Sequence, residues 1–185
     1  MKTKTGVIQL FFLSILAICS SCSMEAGNAK QLNPADSFMP MQIGNTWTLG
    51  AQNYTKILDT VRIGNGLYYK FYSLVGGDAT DVKYLRIDKD DNLLESYPDQ
   101  PGKLYVHAKF GAEVNDEFFT IGDGSVNDYK VRVTEKTADR MTFEFDMVNH
   151  PKLKGNTHKV SYIKGLGIDE KWKSITIDGK TVRSE

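Results

Sequence analysis

The chain has 185 residues, with 23 basic and 23 acidic side chains and a formal net charge of zero. A nucleic-acid binder carries a basic patch or stripe; here charges of both signs are interspersed, the pattern of a solvated surface, and that class is excluded. The only two cysteines are Cys19 and Cys22, so the rest of the chain has no thiol for catalysis, CxxC redox chemistry or cysteine metal sites.

At the start, Lys2 and Lys4 precede an apolar run from about Val7 to Ile18. That run is short of the roughly 20 residues a membrane span needs, and a basic flank before a short apolar core is the pattern of a secretory signal. Ser20-Ser21-Cys22 then matches the small residues that precede the acylated cysteine of bacterial lipoprotein signals. Leu16-Ala17-Ile18-Cys19 is the alternative box, but Ile18 is bulky where a small residue is expected, so Cys22 is the favoured lipid attachment site. Cleavage near Ala26 or Ala29 without lipidation is a further alternative. The expectation is an exported protein, anchored by lipid to a bacterial membrane, on the periplasmic face or cell surface of the outer membrane. More than one acyl chain makes such an anchor stable, since each buried CH₂ contributes about 0.8 kcal/mol.

Residues 1–21 are therefore read as the signal, and residues 22–37 as the lipidated cysteine and a flexible tether. The stretch SMEAGNAKQLNPADS has no apolar period, and its 15 residues reach on the order of 20 Å. Removing the signal takes away Lys2 and Lys4 and leaves 21 basic against 23 acidic residues, which strengthens the case against nucleic acid. Residues 38–185 are the size of a single domain.

Within that domain, alternation dominates. Tyr54–Ile63, Leu67–Val75, Asp81–Ile87 and Asn92–Tyr97 read as strands, followed by Leu104, Val106, Ala108 and Phe110 alternating with Lys103, Tyr105, His107 and Lys109. Tyr129, Val131 and Val133 alternate with Lys130, Arg132 and Thr134. Met141, Phe143, Phe145 and Met147 alternate with Thr142, Glu144 and Asp146, which makes these two segments antiparallel neighbours facing one core. His158–Ile163 and Lys171–Ile177 follow. Asn65-Gly66 and Asp178-Gly179 read as two-residue type I′ turns, whose central residues both need positive φ. The fold class is all-β: an antiparallel meander of about nine to eleven strands, curled into a sandwich or an open or closed barrel.

Several landmarks resemble a group of bacterial envelope lipoproteins, many from Bacteroidota. Pro40-Met41-Gln42-Ile43-Gly44-Asn45-Thr46-Trp47 matches their Pro-x-x-x-Gly-Asn-x-Trp opening, and Gly165-Leu166-Gly167 a late Gly-x-Gly. Leu67-Tyr68-Tyr69-Lys70 and Leu85-Arg86-Ile87-Asp88 match landmarks between them. The resemblance implies a fold and a location, and no activity. Physically, Gly44-Asn45 makes a tight turn and Trp47 anchors the first strand.

No chemical motif stands out. Asp88-Lys89-Asp90-Asp91-Asn92 has the alternating oxygens of a calcium loop, but Leu93 and Asp99 stand where an EF-hand needs Gly and Glu. It reads as a solvated hairpin turn. His150 and His158, with Asp146 near, lack a third ligand for zinc, and His107, among lysines, reads as exposed. Gly124-Ser125 has no GxSxG elbow. Tyr68 and Tyr72 share a strand face with Lys70 and Leu74 and could form a ligand wall or fill the core. The expectation is a non-catalytic binding or interaction module with no cofactor and no metal. Its partner would be a small molecule, a glycan or a protein. An envelope-polymer hydrolase and a purely structural protein are the alternatives.

Overall fold

A computed structural model describes residues 33–183, so Cys19, Cys22 and the signal lie outside the described residues. The described chain is all-β apart from one 3-10 turn at Pro34–Asp36. An eight-stranded and a five-stranded antiparallel sheet form a sandwich, not a closed barrel.

The larger sheet begins as a meander: β1 (Thr46–Gly50), β2 (Asn53–Ile63), β3 (Gly66–Val75), β4 (Ala79–Ile87), β5 (Asn92–Tyr97) and β6 (Gln100–Lys109) pair in order. The chain then crosses to the smaller sheet: β7 (Glu117–Phe119), β8 (Lys130–Lys136), β9 (Arg140–Asp146), β10 (His158–Ile163) and β11 (Gly167–Ile168). Finally β12 (Ser174–Ile177) and β13 (Lys180–Arg183) return to the larger sheet, where β12 pairs with β1. The described residues thus hold thirteen strands against the expected nine to eleven. The three-residue β7 and the two-residue β11 are too short to show a period.

Alternation converts directly into burial in the smaller sheet. The two segments are antiparallel neighbours, as expected, with Val131 paired to Phe145 and Val133 to Phe143. Val131, Val133, Met141 and Phe143 are fully buried. Phe143 is met edge-on by Phe110, Phe118 and Tyr162, with ring centroids 5.9–6.2 Å apart. Trp47, Ile57, Phe71, Leu85 and Leu93 oppose them from the larger sheet.

Bulges alter the expected faces. In β2, Ile57 pairs with Phe71 and Asp59 with Lys70, so Leu58 is the extra residue and stands exposed. In β6, Val106 pairs with Leu94 but Ala108 with Leu93, so His107 is extra. Of Leu104, Val106, Ala108 and Phe110, expected on one face, Val106, Ala108 and Phe110 pack on the core while Leu104 is 40% exposed.

Turn chemistry divides similarly. Asp178 (φ +50°) and Gly179 (φ +71°) both take positive φ, the type I′ pattern. The β2–β3 turn sits one residue earlier than expected, at Gly64-Asn65. Only Gly64 has positive φ there, and Gly66 already pairs with Ile63. Asp88 closes the β4–β5 hairpin by accepting from the backbone N–H of Asp90 and Asn92 and from Asn92 Nδ2, at 2.9–3.0 Å.

The Gly-Asn-x-Trp and Gly-x-Gly landmarks meet in space. Asn45 is buried and ties together the Pro40 carbonyl and the Asp178 N–H. The Trp47 indole N–H donates to the Leu166 carbonyl at 2.6 Å. A Cβ on Gly167 would stand 3.2 Å from the indole nitrogen, at a φ of +93°. Of residues 33–37, assigned by composition to the tether, Ser37 is buried and its carbonyl accepts from Gly165 N–H at 2.8 Å, while Asn33, Ala35 and Asp36 are exposed.

Candidate groove between the sheets

The sheets do not close on each other along their whole length. Two cavities lie between them, of about 300 and 360 Å³. Lys83, Ile168 and Glu170 line both, so the two are halves of one groove. One half runs over Trp47, Phe71, Thr55, Ser73 and Trp172. Its wall follows from register: Phe71 faces the core, and Ser73 and Lys83, an i+2 neighbour and a cross-strand partner, share its side of the sheet.

The other half lies between Tyr105 and His107 of the larger sheet and Tyr129, Phe145, His158 and Tyr162 of the smaller one. The β6 bulge turns Tyr105 toward the groove, opposite Glu95. Glu95 is 6% exposed. Its Oε2 lies 2.5 Å from His107 Nε2, and its Oε1 accepts from the Tyr97 hydroxyl. Burial pushes the Glu95 carboxyl up. Hydrogen bonds from His107 and Tyr97, with the charges of His107 and Lys83, more than reverse this and hold it below the ordinary carboxylate range. Tyr97 is pushed well above the ordinary phenol range by burial and by its bond to Glu95. Complete burial raises Tyr162 as well.

His107 therefore departs from its expected place as a merely exposed side chain. It is the extra residue of a bulge, paired to a buried acid, and it shares a cavity with His158. His158 is exposed and stacks on Phe145 at 5.1 Å. His150 is held elsewhere, its Nδ1 accepting from the N–H groups of Lys152 and Leu153. Asp146, expected near both, accepts instead from Gly155 N–H. Among the described residues no three of His, Cys, Asp and Glu converge as metal ligands do.

The tyrosine wall on β3 is not part of the groove. Tyr68 is 2% exposed with the Arg86 guanidinium over its ring, and Tyr72 packs on Tyr54. Lys83, Glu95, Tyr105, Tyr129, Tyr162 and Glu170 do form or back the groove, and their strands' alternation alone does not mark them. The arrangement can hold a small molecule with an apolar or aromatic body. Lys83 and Glu170 stand at the junction to meet polar groups, and His107 and Tyr105 offer further hydrogen bonds.

Comparison with protein-family models, with curated proteins and with solved structures finds no match to this chain.

Proposed function

We propose that this protein is a non-catalytic binding module of the bacterial cell envelope, anchored through lipid on Cys22, which takes a small amphipathic molecule into the groove between its sheets. The observation that carries the reading is the groove itself: two cavities joined at Lys83, Ile168 and Glu170, walled by aromatic side chains from both sheets. Binding sites of this kind are concave and mostly apolar, with a few placed polar groups. Short glycans, which stack on tyrosine and tryptophan, and fatty or aromatic acids, which would pair with Lys83, are the ligand classes that suit the lining.

A hydrolase acting on envelope polymers is the second reading, favoured by the buried Glu95 bonded to His107 at the groove wall. A binding role uses the same pair to fix His107 as a hydrogen-bonding wall, and needs no nucleophile.

The experiment is a thermal-shift panel of short glycans, fatty acids and small aromatic acids, run on the wild-type chain and on Ser73→Trp, which fills one half of the groove. One ligand class should raise the Tm of the wild type and leave the variant unmoved. Turnover of a glycan on the panel, lost in His107→Ala, would replace the binding reading with the hydrolase.

A further inference from the structure

We propose that a second site, on the outer face of the eight-stranded sheet, binds an oxyanion through Arg86. Arg86 lies between the core residues Leu85 and Ile87 on β4, so alternation sends its side chain to the face turned away from the five-stranded sheet. There it lines a cavity of about 420 Å³, independent of the groove and of the ligand proposed for it. The walls are Ile63, Tyr68, Pro101 and Leu104, and the floor is the Gly64–Gly66 turn.

Three features point to an anion. Nε of Arg86 is buried and has no hydrogen-bond partner, which none of the other buried side-chain nitrogens and oxygens among the described residues shares. A buried donor without an acceptor is costly, and an oxyanion taking the guanidinium edge-on satisfies it. The guanidinium carbon sits 5.2 Å from the centre of the Tyr68 ring, which fixes the plane of the fork and leaves the charge without a carboxylate partner among the described residues. Gly66 leaves room for the guanidinium against the turn: a Cβ there would stand 3.1 Å from Nε and 2.8 Å from Tyr68 Cε2.

Charge agrees. Arg86 and Lys89 line the cavity against one acid, Asp88. The Asp88 carboxylate is already spent on the three N–H donors of its own hairpin. The cavity is left with one net positive charge and one unfilled donor. Its apolar walls fit a ligand whose phosphoryl or carboxyl group meets Arg86 while its body lies along Pro101 and Leu104.

The test follows the arginine Nε–H signals of the full mature chain, in non-ionic detergent, by proton–nitrogen correlation spectra. Inorganic phosphate and acetate are titrated in separate arms. The Arg86 Nε–H and the Gly66 amide should shift saturably with at least one anion, and the arm that saturates at lower concentration identifies the headgroup. Arg86→Gln should weaken binding by about tenfold or more, the loss expected for a charge-assisted pair. Lys89→Gln, at an exposed position that leaves the fold intact, should weaken it by about threefold. Linear, unsaturated shifts in both arms would overturn the proposal. So would saturable binding that Lys89→Gln and a folded Arg86→Gln both leave unchanged.

Discussion

Glu95 and His107 face each other across β5 and β6, with Oε2 of the buried acid 2.5 Å from Nε2 of the imidazole. The contact exists because a β-bulge places His107 outside the regular pairing of its strand. It gives a nearly inaccessible carboxylate one of the hydrogen-bond partners it needs.

That pairing makes stability depend on pH in a definite direction. Glu95 titrates below its ordinary value of 4.5 in the folded protein. The folded state therefore binds the proton less readily than the unfolded one, and Glu95 stabilises the fold fully above that value. The contribution is lost as pH falls from there through the depressed folded value. Glu95→Gln should cost about 1–3 kcal/mol at neutral pH. The gap between variant and wild type should shrink on acidification, read as urea midpoints across the acid range. A gap that stays constant below pH 4.5 would show that the charge of Glu95 contributes nothing.

Trp47 joins the Gly-Asn-x-Trp and Gly-x-Gly segments, since its indole N–H bonds the Leu166 carbonyl. Trp47→Phe keeps a ring to stack on Phe71 but leaves that carbonyl without the indole donor. It should destabilise by about 1–3 kcal/mol, measured by chemical denaturation. Gly167→Ala should do comparable harm, because alanine at φ +93° is strained and its Cβ would meet the indole.

Phe143 is fully buried where rings from both sheets converge. Phe143→Ala should cost about 3–5 kcal/mol, the range for emptying an aromatic site in a packed core. A cost under 1 kcal/mol, in the range of a surface change, would contradict the interlocked core.

Cys22 lies outside the described residues and is argued from Ser20, Ser21 and the apolar run before it. Cys22→Ala should leave the precursor uncleaved or release the protein from the membrane fraction. Intact-mass analysis should find the acyl chains on Cys22; finding them on Cys19, or finding none, would move or remove the anchor.

Where the strands are regular, the sequence was legible. Val131, Val133, Phe143 and Phe145 alternate without interruption, so period two gives their buried face, and the short connection makes the two segments antiparallel neighbours. The larger sheet is less legible because bulges at Leu58 and His107 reverse the faces on either side of them. Nothing in the residue types marks those positions. The groove was illegible for the same reason: Tyr105 and His107 read as a polar outer face until the bulge turns them inward. Glu170 and Lys83 reach it from segments 87 residues apart, a juxtaposition only the sandwich creates. Gly64-Asn65 and Asn65-Gly66 are both acceptable turn pairs, and the pairing of Ile63 with Gly66 decides between them.

The most direct measurement of the central claim is amide chemical-shift mapping of the mature chain against the panel of glycans, fatty acids and aromatic acids. The account predicts saturable shifts from at least one class, clustered at Lys83, Tyr105, His107, Ile168 and Glu170. Shifts from every class confined to other surfaces, or no saturable shift from any of them, would contradict it.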